Sequence, residues 1–405
     1  MTVTIGTGAT AAVSRLGTAR RTAMAVLAAA TALAAGACGG PTATDPGSGS
    51  PSAASQSSET LAPTSIGVSA TGPATPVAAT PTPAPSTTAT PSSSNLIAYV
   101  ALSDGTLEPL DLQPFGLGSP IPLGHVPAAL AVAPSGTTAY VADQDVSAVT
   151  VVDLSNGTVE GQIALPAGNG PPSAIAITPN GSTVYVVAGQ TFGSTGVLIP
   201  ITAATGSIGS PVSVGPDPTA IAITPDGRTA YVVDNGSTAI TPVDLANGIA
   251  GSPIQIGIGP VAMAISPTGD AAYVLGAGVD DTLTPVKLSA DPAQDHVGSP
   301  VPAGSGVPQA VAVAADGTSA FVADIDDALR IGLPAGPTLW SSGSAAYNAI
   351  AVSPGGTLAV FTYATSDFGE AGLTAVDVST AASAGSVPLD ADPVAIAFAT
   401  SPGPS

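Results

Sequence analysis

PTAIAITPDGRTAYVVD, from Pro218 to Asp234, decides the fold, because the chain repeats it. Near-copies are PAALAVAPSGTTAYVAD from Pro127, PSAIAITPNGSTVYVVA from Pro172, PVAMAISPTGDAAYVLG from Pro260 and PQAVAVAADGTSAFVAD from Pro308. The turn glycines of successive copies are Gly136, Gly181, Gly227, Gly269, Gly317 and Gly356, at intervals of 45, 46, 42, 48 and 39 residues. A period of that size is the length of one four-stranded propeller blade. Four residues after the glycine stands an aromatic: Tyr140, Tyr185, Tyr231, Tyr273 and Phe321. The sixth copy has Val360 there, with Phe361 beside it.

Each copy divides into four strands. AIAIT (Ala220–Thr224) is short and apolar, as an innermost, fully covered strand requires. Pro225-Asp226-Gly227 supplies a tight turn, in which glycine accepts a positive φ. TAYVVD follows as the second strand, AITPVDL as the third and SPIQIG as the fourth. One such sheet cannot bury both of its faces, so the copies must stack on each other to build a core. A seventh first strand, PVAIAFA (Pro393–Ala399), ends the chain with no second strand after it. The missing strands stand at the other end, in IAYVALSDGTLEPLDL (Ile97–Leu112) and SPIPLG (Ser119–Gly124), with Tyr99 in the aromatic position. The expected fold is all-β: a seven-bladed β-propeller over residues 96–400, its last blade closed by strands from both termini. An open sandwich or a β-helix is the weaker alternative.

AYVAD followed by VTVVDLSNGTVEGQIAL (Val149–Leu165) resembles the YVTN-type β-propeller repeat, and the resemblance extends over roughly residues 96–399. It implies the propeller fold and is silent about a ligand.

Composition fits short strands and turns. There are 48 Gly and 41 Pro, and only 8% of residues are charged. Three of the six bases, Arg15, Arg20 and Arg21, precede position 38, where there is no acid. Beyond it Arg228, Lys287 and Arg330 stand against 27 acids, a formal −24. Such a surface repels phosphate, which argues against nucleic acid as a partner. Residues 1–37 read as an export signal: three arginines, then AMAVLAAATALAAGA, too short to span a bilayer. Ala35-Gly36-Ala37-Cys38 resembles a bacterial lipobox, departing from it at Ala35, where Leu, Val or Ile is usual. Cys38 is the only cysteine, so no intramolecular disulfide forms, and the resemblance implies that it carries a lipid anchor. The expected location is the outer face of the cytoplasmic membrane or the medium, with the export route open between general secretory and twin-arginine. Residues 38–95 lack apolar periodicity and read as a Pro/Ser/Thr-rich disordered tether, spanning ~40 Å as a flexible coil.

In a propeller the loops between second and third strands, and those leading to the next blade, share one rim. Sorting the acids by these loops puts 14 of the 27 there. Asp104, Asp143, Asp145, Asp234, Asp280, Asp281, Asp324, Asp326, Asp327, Asp367 and Glu370 belong to the first set, Asp217, Asp390 and Asp392 to the second. Oxygen-rich loops suit Ca²⁺ or Mg²⁺, and Asp324, Asp326 and Asp327 are the candidate Ca²⁺ ligands. The bland reading is that these are solvated turn residues. His125, with a rim aspartate, belongs to the candidate ligand rim, while His296 is expected on the opposite face. Asp111, Asp153, Asp244 and Asp377 read as turn formers.

Three function classes follow. The first is a lipid-anchored, extracytoplasmic, non-catalytic binding or scaffold module, monomeric, whose partner is a cell-envelope protein or glycan. The second is a hydrolase of the lactonase-like propellers, which this fold resembles; those enzymes place His, Arg and Glu around the channel, and these residues are scarce here. The third, a lyase or quinone-cofactor propeller, has no residue support.

Overall fold

Val, Ile, Thr and Tyr crowd the strand positions and Gly, Pro, Asp and Asn the connections, so the chain alternates short strands with tight turns. The computed structural model describes residues 96–399, except 190–194, 258, 279–280, 305, 335, 342–345 and 365–369. The segments read as an export signal and a tether, together with Cys38, Asp280 and Asp367, lie outside the described residues.

Seven antiparallel sheets form a ring. Blade three shows the plan: Pro218–Ile223 innermost, then Thr229–Asp234 and Ala239–Asp244, then the outer pieces Ile249–Ala250 and Ile254–Gln255. Between its first two strands Gly227 takes φ +70° and donates its N–H to Thr224 O at 2.8 Å, closing the turn. The innermost strands follow one another around the axis as Pro127–Val132, Pro172–Ile177, Pro218–Ile223, Gly259–Ile265, Pro308–Val313, Tyr347–Val352 and Pro393–Ala399, and the last adjoins the first. In blade seven Pro393–Ala399 pairs with Ile97–Leu102, matching Ile97 to Ala399, and Thr106–Leu112 pairs outside it. Both ends of the described chain therefore share one sheet, and the ring has no open inner edge.

The core is divided by blade junction. Seven apolar clusters exist, one at each contact between neighbouring blades. Tyr231, Val233 and Ile240 of blade three meet Met263, Ala272 and Val274 of blade four, for example. Each fully buried Ile or Leu, such as Ile199, Ile240 or Leu275, contributes about 1.5–3 kcal/mol. In every blade the aromatic position faces an alanine of the first strand: Tyr99 faces Ala397, Tyr140 Ala131, Tyr185 Ala176, Tyr231 Ala222, Tyr273 Ala264 and Phe321 Ala312. Val360 keeps this register opposite Ala351. The neighbouring Phe361 faces the other way and gathers Phe321, Trp340 and Tyr347, with ring centres 6.2, 6.3 and 5.5 Å away.

The fourth strand departs from the expected single strand. In blades two, three, four and seven it breaks into two short pieces. Each of these blades has a proline in mid-third-strand, Pro200, Pro242, Pro285 or Pro109. Proline offers no N–H to the outer strand, so regular pairing stops there. Its carbonyl instead accepts the N–H of Gly209, Gly251, Gly298 or Gly118 at 2.7–2.8 Å, and a Ser-Pro step carries the chain around the gap. Blades one, five and six have Val151, Arg330 and Ala375 at that position and keep unbroken outer strands.

Candidate functional site

Every first strand is bulged at its rim end, where Pro-X-Ala (Tyr347-Asn348-Ala349 in blade six) shifts the pairing by one residue. The bulge residues ring the channel mouth. Ser173 donates to Pro218 O at 2.7 Å, Thr219 to Val261 O at 3.1 Å and Asn348 to Pro393 O at 2.6 Å, each bond crossing to the next blade.

Directly outside this ring, Asp143, Asp234 and Asp324 end the second strands of blades one, three and five, paired with Pro127, Pro218 and Pro308. All three are fully buried. Asp143 accepts the Thr150 hydroxyl at 2.6 Å and Asp234 the Thr241 hydroxyl at 2.5 Å. Asp324 accepts N–H groups from Gly306 at 3.3 Å and Asp326 at 3.1 Å. Backbone arriving from the preceding blade lies tight against two of these carboxyls: a Cβ on Gly215, in the outer strand Val212–Pro216 of blade two, would stand 2.4 Å from Asp234 Cγ, and one on Gly304 2.5 Å from Asp324 Oδ2. Burial pushes the Asp234 carboxyl up to about 6, against the lowering pull of Thr241 and the Gly215 N–H. Asp143 and Asp324 are also raised, in both cases chiefly by burial.

The remaining rim acids face solvent or close local turns. Asp104, Asp145, Asp326, Glu370, Asp390 and Asp392 are exposed, while Asp217 and Asp327 are partly covered. Asp217 takes φ +49° and its carbonyl accepts Asn235 N–H. Asp281 is buried and accepts the Gly278 N–H at 3.3 Å. Asp327 accepts the Ser341 hydroxyl. His125 Nδ1 lies 3.3 Å from Asp145 Oδ2, and Asp145 Oδ1 accepts the Val126 N–H at 3.2 Å. The structure thus brings His125, Asp143 and Asp145 to one side of blade one, and Asp324, Asp326 and Asp327 onto one loop of blade five. Among the described residues no group of three or more His, Cys, Asp or Glu is placed to hold a metal ion.

One rim residue escapes the loop-by-loop sorting. Glu108 is buried inside a third strand, and its Oε2 has no hydrogen-bond partner among the described residues. Burial raises its carboxyl, with Asp390 and then Asp104 adding to the effect. Register shows where to look: Glu108 faces Val100 as Thr150 faces Val141 and Thr241 faces Val232. The aligned copies contain that column; reading the acids by loops passes over it.

The bases lie away from the rim. Arg228 is in the first turn of blade three and Lys287 ends a third strand, both on the opposite face. Arg330 donates Nε–H to Ser319 Oγ at 3.2 Å, at the end of its strand pair remote from Asp324. Among the described residues the rim therefore carries acids and no Lys or Arg. Asp153, Asp244 and Asp377 close their turns as expected, and the Asp377 carboxyl is held down at about 2 by Ser379 and Thr380.

No family model matches the chain, and no curated protein matches it either. Solved structures do. A functionally unknown protein from Desulfotomaculum acetoxidans aligns at TM-score 0.63 and 16% identity, over 75% of this chain and 99% of that one. A "putative 6-phosphogluconolactonase" from Bacteroides uniformis aligns at 0.60 and 14%, over 75% and 99%. A protein of the same description from Bacteroides fragilis aligns at 0.59 and 16%, over 78% and 99%. The likeness is one of fold. At such identities the residues of a site do not carry over.

Proposed function

We propose that this propeller is a non-catalytic binding module held outside the cytoplasm, whose acidic rim engages a cell-envelope partner presenting basic groups. The observation that carries the reading is the division of charge: among the described residues, exposed carboxylates stand along the rim of blades five, six, seven and one with no Lys or Arg among them, while Arg228, Lys287 and Arg330 lie away from it. Such a field attracts cationic surfaces and raises association rates in a salt-dependent way. Its buried members are engaged inside the fold, so the exposed Asp145, Asp326 and Asp392 are the contact residues. YVTN-like repeats and a lipid on Cys38 belong to the same proposal, resting on the sequence alone. Crosslinking from membranes tests it. A specific partner is recovered at low salt and lost at high salt, and the Asp145→Asn, Asp326→Asn, Asp392→Asn triple variant recovers less. Equal recovery by the triple variant contradicts the rim. A palmitate analogue labels the wild type, and Cys38→Ala abolishes the label.

A second reading, a lactonase-like hydrolase, draws on the His125–Asp145 pair, in which Asp145 could orient the imidazole as a general base. The two Bacteroides proteins fit the same reading. Against it stands the rim's charge, which repels a phosphorylated lactone. Turnover of lactones by the wild type, lost in His125→Ala, would favour this reading over the first.

A further inference from the structure

The face opposite the rim holds a cleft that the rim reading leaves unused. It lies between blades three and four and has a volume of about 320 Å³. Its walls are the turn Thr224–Thr229, the turn Thr268–Asp270 and the start of an insert, Leu288–Ala290. The insert is particular to this blade: third and fourth strands are joined by eight residues, Leu288–Asp295, where blades one, two and three use four.

The added wall is pinned across the blade junction. Asp295 Oδ2 accepts the hydroxyl of Tyr231, a blade-three residue, at 2.6 Å, and Asp295 Oδ1 accepts Ser289 N–H at 2.7 Å. Ser289 Oγ in turn donates to Asp291 O, and Asp291 caps the short 3₁₀ turn Pro292–Gln294. A fixed wall of this kind reduces the ordering penalty of binding.

The groups lining the cleft are of mixed type. Asp226 uses Oδ1 to accept the Thr224 hydroxyl and the Arg228 N–H. Asp270 uses Oδ1 to accept the Ser266 and Thr268 hydroxyls. Each turn therefore orients a carboxylate: Asp226 Oδ2 faces the Arg228 guanidinium across 3.8 Å, and the turn bonds of Asp270 use Oδ1 alone. Arg228 is 82% exposed and comes no closer than 3.8 Å to Asp226, so its guanidinium donors are open. Pro225 and Ala290 supply apolar surface beside them.

We propose that this cleft binds a neutral saccharide of one or two sugar rings. Vicinal hydroxyls pair with carboxylate acceptors and a guanidinium fork, and the C–H face of a pyranose lies on Pro225 and Ala290. An anionic ligand would meet Asp226 and Asp270, a cationic one Arg228. The volume sits at the lower end of small-molecule sites. The site is independent of the rim, so either can fail alone.

The test is calorimetric titration of the full chain with the strongest binder from an array of neutral oligosaccharides. Asp270→Asn and Arg228→Ala each weaken binding at least 10-fold. Tyr231→Phe, which unties Asp295, weakens it several-fold while the protein stays folded by circular dichroism. Asp153→Asn, a turn variant on blade one, leaves it unchanged. The inference is overturned if no neutral saccharide binds at millimolar concentration, if sugar acids alone bind, or if Asp270→Asn and Arg228→Ala bind as the wild type does.

Discussion

Asp234 shows how one position can be legible in type and hidden in role. The repeat places it at the end of TAYVVD, on the rim, and that is where it stands. Sequence presents it as a solvated acid because an aspartate beside a turn is ordinarily exposed. Its burial comes from Gly215, which belongs to the outer strand of the preceding blade and whose missing side chain lets that strand close over the carboxyl. No local pattern contains that contact. The pH dependence follows from the raised carboxyl. With a folded value of about 6 against about 3.9 unfolded, the native state binds the extra proton between those values. The Asp234 contribution to stability is therefore most favourable below about pH 4, falls as pH rises to about 6, and is flat above, with Asp143 and Asp324 acting in the same direction, while the lowered Asp377 carboxyl acts oppositely below about pH 4. Asp234→Asn retains the Thr241 bond and removes this slope. Urea denaturation should find the variant more stable than wild type at pH 7.5 by roughly 1–3 kcal/mol, with the difference vanishing near pH 4. A pH-independent difference would show that Asp234 ionises normally in the fold.

At the scale of the element, the period and the alternation made the first three strands of each blade readable, because both are local properties. The outer strand was readable only as a segment. Its splitting depends on what the neighbouring strand lacks, an N–H at Pro109, Pro200, Pro242 or Pro285, and that effect acts across the sheet. The glycine that donates its N–H to each proline carbonyl is equally constrained. A Cβ on Gly251 would approach Pro242 Cγ to 3.1 Å and one on Gly298 Pro285 Cγ to 3.0 Å. Gly251→Val should destabilise the propeller by about 1–3 kcal/mol through overpacking, whereas Ser252→Ala, on the exposed step beside it, should stay within about 0.5 kcal/mol. Thermal melting of the two variants checks the contrast; equal melting points would mean that the glycine is not held against the proline.

For the whole molecule, closure was the most legible feature, since the orphan first strand at one end and the orphan second strand at the other leave a single way to complete the ring. The structure pairs them residue for residue, from Ile97 with Ala399 to Ala101 with Ala395. Deleting residues 393–405 removes the innermost strand of blade seven and opens the clusters on both of its sides. The truncated chain should lose its single cooperative transition and sediment as aggregates, because strand edges are left unpaired. Function was far less legible. Loops can be assigned to a face from sequence, but which carboxylates tie blades together and which meet solvent depends on packing between distant copies of the repeat. The account rests on the exposed ones engaging a partner. Carbodiimide footprinting of the full chain, with and without its membrane-derived partner, asks that directly. Asp145, Asp326, Asp390 and Asp392 should become several-fold less reactive in the complex, while the far-face Asp153, Asp244 and Asp377 keep their reactivity. Protection of the far-face acids with the rim unchanged would contradict the account.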